Sequence, residues 1–281
     1  MGIVITGASG FLGEAIVRKL RESSIACIGV TRKKTSSLHW VESYVDTPVG
    51  EVLIHLAENN DRTRANNEGM LCEREAERTI RALLSKGYQR VIYASSSVLY
   101  GDGSSEPRVE TDPIYVNDTY TRIKIASEQA VLSSSRGCVM RLSNLYGSGM
   151  ATGNVLSHIL HQLSKRGPLL LQDITPVRDF LWIDDAADAI CKMVSNFKSE
   201  VFNLGTGVGS SILDLAKTTL EVAGQREREI ISLKPIEKLQ ESSIILNADK
   251  AKIHLDWCPK MSLQEGLNQI VNDYQKWSSN E

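Results

Sequence analysis

The chain has 281 residues, 42% of them hydrophobic, and a formal net charge of −2, so a sizeable core in one large domain or two unequal lobes is within reach. Its charges are interspersed, which excludes the basic field that nucleic acid needs and leaves a small-molecule partner. Cys27, Cys72, Cys138, Cys191 and Cys258 form no CxxC pair and read as reduced, mostly buried thiols, while no apolar run nears the roughly 18 residues of a membrane span.

The chain opens on an apolar strand, Gly2 to Ile5, leaving no room for a leader, and a cytoplasmic protein with no membrane contact is expected. Thr6-Gly7-Ala8-Ser9-Gly10-Phe11-Leu12-Gly13 follows at once, and an amphipathic helix is predicted from Phe11 to Leu20. In such a strand-turn-helix, Gly7 permits the tight turn, Gly10 lets backbone approach a ligand, and Gly13 lets helix and strand pack closely. The unpaired N–H groups at the helix start then face a pyrophosphate. Gly7, Ser9, Gly10, Phe11, Leu12 and Gly13 are therefore predicted dinucleotide contacts.

A second buried strand is predicted over Ile25–Val30, ending at Thr31-Arg32-Lys33-Lys34. NAD-binding folds place an acidic residue about 20 positions beyond the glycines, against the ribose 2′-hydroxyl, and an arginine there accommodates a 2′-phosphate. With Thr31 and Arg32 at that end, NADP is the expected cofactor and NAD the alternative. The bland reading of the basic residues is a solvated loop.

Residues 41–49 are poorly patterned, and Val52-Leu53-Ile54-His55-Leu56-Ala57 makes the next buried strand. His55 reads as a packed core residue, since no second ligand stands at metal spacing. A helix is predicted from Asn66 to Lys86 with Gly87 as its stop, then a strand over Val91–Ala94. Repeated alternation of short apolar strands with helices argues for a parallel sheet wound on both faces.

Ser95-Ser96-Ser97-Val98-Leu99-Tyr100-Gly101 lies at the carboxyl end of that strand, where ligands sit in doubly wound sheets. After a loop with Gly103, Pro107 and Pro113, Tyr120 and Lys124 stand one helical turn apart on a helix reaching Leu132. A free tyrosine has a pKa near 10, too high for efficient proton transfer at neutral pH, and a neighbouring ammonium favours its phenolate. Such a pair makes a usable acid and base; its bland reading is a surface pair.

With these residues the sequence resembles the extended short-chain dehydrogenase/reductase family, in its nucleotide-sugar epimerase, dehydratase and reductase branch. TGxxGxxG is matched by Thr6, Gly7, Gly10 and Gly13, an HLA strand by His55-Leu56-Ala57, and YxxxK by Tyr120 and Lys124. Arg141 to Gly147 is similar to an R-x-x-N-x-Y-G segment and Arg178 to Asp185 to RDF-x-x-V-D-D. Val201 to Gly207 resembles the N-x-G-x-G turn, and Leu255 to Pro259 the closing G-W-x-P.

The resemblance implies a Rossmann-type doubly wound α/β fold with a smaller C-terminal substrate-binding lobe. Residues 1–150 would be mainly the NAD(P)-binding domain, about 178–205 would return to it, and 151–281 would be mainly the nucleotide-sugar lobe. It further implies that Ser96 bonds the sugar oxygen, Tyr120 exchanges the proton, and Lys124 binds the nicotinamide ribose. Leu56 and Ala57 would touch the cofactor, and Ser97, Asn144 and Arg178 the nucleotide-sugar substrate. The structural alternative for Arg178 is an ion pair with Asp179 or Asp185. A homodimer through helices near 68–86 and 118–132 is the family's common arrangement.

Departures narrow the chemistry. Dehydratases of the family carry Asp-Glu after the catalytic hydroxyl, and decarboxylases use a Glu in the same neighbourhood; Ser97 and Val98 stand there here. What remains is hydride transfer at C4, as an NADPH-dependent 4-ketoreductase or else an NAD-dependent 4-epimerase. A non-catalytic NAD(P)-binding regulator or scaffold is the alternative from another class. Lys234-Pro235-Ile236-Glu237 replaces an Arg-Pro-Gly-Asp segment, and residues 41–50 are shorter than the usual third-strand region.

Towards the C-terminus, helices are predicted over 152–167, from Ser211, and from the capping-box pattern Ser262-Leu263-Gln264-Glu265. His158 and His161 lie three apart with no further ligand near, and no metal site is expected.

Overall fold

Four buried residues, Ile3–Thr6, form β1, and their register sets the rest of the molecule. Ile3–Thr6 pairs in parallel with Cys27–Val30 on one side and Val52–His55 on the other. The computed structural model describes residues 2–58, 61–235 and 242–278. In chain order, β1 is followed by α1 (Phe11–Glu22), β2 (Cys27–Thr31), β3 (His39–Trp40), β4 (Val52–His55), α2 (Arg62–Glu68), α3 (Met70–Leu84), β5 (Arg90–Ser96), α4 (Thr119–Leu132) and β6 (Gly137–Leu142). Beyond these come β7 (Asn144–Tyr146), α5 (Val155–Gln162), β8 (Leu169–Leu171), β9 (Val177–Trp182), α6 (Ile183–Ser195), β10 (Val201–Leu204) and β11 (Gly209–Ser211). The chain closes with α7 (Ile212–Val222), β12 (Ile230–Ser232), β13 (Ser243–Ile244), α8 (Asp249–Leu255) and α9 (Leu263–Ser278).

The central sheet has seven strands in the order β3-β2-β1-β4-β5-β6-β10, all parallel. This is the expected doubly wound α/β sheet, and strand order reverses beside β1. A crevice therefore opens beyond the carboxyl ends of β1 and β4, the place where such sheets bind ligands. Strands β7, β9, β11 and β13 make a second, smaller sheet, and β8 pairs with β12. Parallel strands covered on both faces demand apolar side chains throughout, and β1, β4 and β6 are buried at every position.

Several elements differ from the sequence-based expectation for local reasons. The helix predicted over 66–86 is two helices, broken at Gly69 with φ +55°, a conformation that side chains avoid. The strand at Ile25–Val30 begins two residues later, and Ile28 is 42% exposed because only the two-residue β3 lies outside β2. Helix α5 is half the length expected, starting from an Asn154–Ser157 capping box. Cys72 and Cys138 are buried, Cys27 and Cys191 partly so, and Cys258 is exposed, fewer buried thiols than expected.

Candidate active site

Gly7 turns the chain out of β1 with φ +73°. A Cβ on Gly13 would lie 2.2 Å from the Gly7 carbonyl oxygen, so only glycine lets the first turn of α1 sit this close to the strand end. Gly10 caps α1 in extended conformation, and among the described residues no side chain caps the free N–H groups of the first turn. An uncapped helix start at the crevice is a ready anion site. Ser9 Oγ lies 2.6 Å from Thr31 Oγ1, which also accepts from the Lys33 N–H at 3.0 Å, tying the glycine loop to the end of β2.

The crevice is lined by Gly7, Ser9 and Gly10, by Arg32, Lys33 and Tyr44, and by His55 through Glu58. The Arg32 guanidinium stands 5.2 Å above the Tyr44 ring and bonds Glu75 Oε1 at 3.1 Å, with both partners half-exposed or more. Trp40 Nε1 donates to the Arg32 carbonyl at 3.2 Å. The poorly patterned region after β2 thus supplies the wall on which Arg32 rests. These features fit a dinucleotide: backbone donors and a Cβ-free surface for the pyrophosphate, then cationic side chains at the end of β2.

Strand β5 ends at Ser96, whose Oγ accepts from the Val98 N–H at 3.4 Å as the chain enters a 3-10 turn. Ser97 is 3% exposed, and Val98 packs against the cluster of Ala65, Cys72, Tyr120 and Ile123. Helix α4 starts at Asp118, which accepts from the Thr121 N–H at 2.8 Å while Thr121 Oγ1 accepts from the Asp118 N–H at 3.0 Å. Arg62 and Asn66 of α2 also bond the Asp118 carboxylate, and Asn66 Oδ1 accepts from the Tyr120 N–H at 3.2 Å. Although burial pushes the Asp118 carboxyl up, these donors outweigh it and hold its pKa at about 2.

Tyr120 is 8% exposed, and Lys124 Nζ lies 5.9 Å from its ring centre. Lys124 donates to the Ala94 carbonyl on β5 at 3.0 Å, docking α4 on the strand that ends in Ser96. Its other partner is Glu58 Oε2 at 2.9 Å, just past β4. Glu58 Oε1 accepts from Ser127 Oγ at 2.6 Å, and the Tyr93 hydroxyl bonds Glu58 Oε2. Burial pushes the Lys124 ammonium down, but the Glu58 carboxylate, with smaller contributions from Tyr120 and Glu128, offsets this and the group stays above its ordinary range. Burial likewise works against the Glu58 charge, and Lys124, Ser127 and Tyr93 hold its carboxyl below the usual value. His55 stacks on Tyr93 and bonds Thr6 Oγ1 at 2.7 Å; its burial lowers its pKa to about 4, so it is neutral at pH 7, as a packed core histidine should be.

A profile of the NAD-dependent epimerase/dehydratase family matches residues 3–205. The chain belongs to that family. A protein of Methanocaldococcus jannaschii, named as a candidate UDP-glucose 4-epimerase, is 28% identical over 300 residues, covering 96% of this chain and 97% of its own. The dTDP-4-dehydro-6-deoxyglucose reductase of Escherichia coli is 24% identical over 307 residues, covering 96% of each chain. Among solved structures, the UDP-glucose 4-epimerase of Thermotoga maritima with UDP-glucose superposes with a TM-score of 0.87 at 25% identity, covering 99% of this chain and 100% of that one. The chain is thus an enzyme-family member with an NAD(P)-binding Rossmann fold, related to enzymes that act on nucleotide sugars.

In this epimerase/dehydratase-family chain several matched motifs form a structural frame. Arg141 makes a two-pronged bond to Glu128 of α4, at 2.7 and 3.0 Å, and reaches the Tyr100 hydroxyl at 2.9 Å. Tyr100 in turn donates to Asn203 Oδ1 at 2.7 Å, so segments over a hundred residues apart fix the helix bearing Tyr120. Asp179 accepts from the N–H groups of Thr206, Gly207 and Leu246, and Asp185 from those of Lys260 and Met261.

Arg178 pairs with neither Asp179 nor Asp185. It donates to the Val177 and Ser242 carbonyls and to Ser242 Oγ, and stands 3.9 Å from Asp102. Asn144 is exposed and lies opposite Phe180, two residues from Arg178 on the paired strand. Lys234 bonds Asp173 at 3.0 Å, while Ile236 and Glu237 lie outside the described residues. Sequence reasoning did not single out Glu58 and Asn66. The HLA pattern ends one residue before the first, and an asparagine in a polar helix gives no local signal.

Proposed function

We propose that this protein transfers hydride at C4 of a nucleotide-linked sugar as an NADPH-dependent 4-ketoreductase. The carrying observation is the Tyr120–Lys124 pair docked through Ala94 on β5, the strand that ends in Ser96, with Ser97 and Val98 following where an elimination would need carboxylates. Glu58 cannot serve that purpose, because its two oxygens are taken by Lys124, Tyr93 and Ser127.

Gly7, Ser9, Gly10, Phe11, Leu12 and Gly13 hold the pyrophosphate, Leu56 and Ala57 flank the cofactor, and Thr31 with Arg32 receives the adenosine ribose. The Arg32–Glu75 pair is exposed, and pairs of that kind are worth little, so a 2′-phosphate can displace the carboxylate. A bound nicotinamide dinucleotide supplies or takes the hydride. Ser96 holds the sugar oxygen, and Tyr120 gives its phenolic proton to that oxygen as the ketone is reduced. Lys124 holds positive charge beside Tyr120 and binds the nicotinamide ribose. Asn144, Ser97 and Arg178 face the nucleotide sugar, with residues 1–150 and about 178–205 forming the cofactor domain and 151–281 mainly the sugar lobe.

An NAD-dependent 4-epimerase would use the same residues, and the likeness to the Thermotoga maritima epimerase favours it as the second reading. Purified protein offered a panel of nucleotide-linked 4-ketosugars with NADPH should consume both, with a 4-hydroxy sugar formed. Tightly held NAD released on denaturation, with C4 epimers interconverted and no net nicotinamide consumed, would assign the epimerase instead. We also propose a cytoplasmic homodimer through α3 and α4, for which light scattering should give twice the mass of 31.0 kDa.

A further inference from the structure

The Lys124 ammonium has three donors and spends two of them, on Glu58 Oε2 at 2.9 Å and on the Ala94 carbonyl at 3.0 Å. Among the described residues the third is unspent, and it is available to a ligand. Glu58 is equally committed, with Lys124, Ser127 and Tyr93 around it, and the two side chains are only 4% and 6% exposed. The ammonium also lies 4.9 Å from the Tyr93 ring centre and 5.9 Å from that of Tyr120. A charged lysine enclosed this completely needs an opposite charge in contact, and Glu58 is the carboxylate that touches it.

We infer that Glu58 is a positioning residue for the reaction: it fixes the Lys124 ammonium between β4 and β5, leaves one donor directed to ligand, and sets how much positive charge Tyr120 feels. The inference rests on the role proposed above for Lys124, while the contact itself does not. The charged and titratable groups facing Lys124 are Glu58 and His55 from β4 and its end, Tyr93 from β5, and Tyr120 and Glu128 from its own helix. Glu128 is bound to Arg141, His55 is neutral, and Tyr93 donates to Glu58, so Glu58 supplies the compensating charge.

Removing that charge while keeping the shape, by Glu58→Gln, leaves an uncompensated ammonium that deprotonates at lower pH. The loss of ketone reduction at high pH moves to lower pH with it. A role confined to bracing α4 would lower thermal stability and leave these titrations in place.

The test is the NMR titration of the Lys124 side chain in protein carrying 13C at lysine Cε, its signal assigned by its loss in Lys124→Arg. In the wild type the signal should hold its protonated position past the ordinary value of 10.5 and should register Glu58 ionisation below 4.5. In Glu58→Gln it should move at a pH lower by about one unit or more, and Glu58→Asp should restore much of the difference. The alkaline limb of kcat for reduction should follow the same order. An unchanged Lys124 titration in Glu58→Gln overturns the inference. If that variant does not fold, the absence of the acid inflection in the wild type overturns it. A shifted titration in a protein that reduces no nucleotide sugar leaves Glu58 as the setter of Lys124 and refutes the proposed function.

Discussion

Tyr120 and Lys124 lie one helical turn apart, and the structure adds what spacing alone lacks: the ammonium anchored to β5 and held charged by a carboxylate. If Tyr120 moves the proton, Tyr120→Phe should lower kcat by about 10²-fold or more with NADPH affinity nearly unchanged, as read by nucleotide fluorescence. An unchanged rate removes Tyr120 from the chemistry. Arg32→Ala should weaken NADPH more than NADH, and equal loss for both would mean that Arg32 does not read the 2′-phosphate. Ser96, Tyr120, Lys124 and Arg32 could be proposed from the sequence because each sits in a short pattern with its own reason. Glu58 and Asn66 offered no such pattern, because their partners lie 69 and 54 positions away on α4, which meets them only in the packed fold.

Among the elements, the β1–α1 turn was readable from its glycines alone. Gly13→Ala should be costly, since its Cβ would meet the Gly7 carbonyl oxygen and the Ala8 Cα, both parts of the backbone. The expected outcome is lost dinucleotide binding with a lowered Tm; wild-type affinity would show that α1 can retreat from the strand. Helix α4 depends on contacts no window of sequence reveals. Arg141 and Glu128 are each almost wholly buried, so Arg141→Ala leaves an unpaired carboxylate and should cost about 3–5 kcal/mol in urea unfolding. A loss below about 1 kcal/mol would mean that water reaches Glu128. The break at Gly69 and the exposed edge at Ile28 escaped the pattern for a simple reason. Periodicity reports which face is apolar, while the end of a helix and the width of a sheet depend on what lies alongside.

In the molecule as a whole, buried ionisable groups tie stability to acid. His55 is neutral in the fold, with a pKa of about 4 against 6.5 when unfolded. Between those values the unfolded chain binds more protons, so stability is full above pH 6.5 and falls as pH drops toward 4, by on the order of 3 kcal/mol. His55→Gln should flatten the dependence of Tm on pH across that interval, and an unaltered slope would assign the loss to other groups. Asp118, held down at about 2, adds stability that is present above its unfolded value of 3.8 and fades as pH falls through 2. The doubly wound sheet was legible from the alternation of strands and helices. The smaller sheet was not, because β7, β9, β11 and β13 assemble from distant segments whose pairing no local pattern encodes.

The most direct measurement is a single-turnover reaction with enzyme in excess, run on nucleotide-linked 4-ketosugars with NADPH deuterated at the transferring position. Hydride transfer from NADPH to C4 gives a 4-hydroxy product carrying deuterium at C4 and an equal amount of NADP, with Tyr120→Phe inactive. Product without deuterium, or C4 epimers interconverted on tightly bound NAD with the added NADPH untouched, would contradict it.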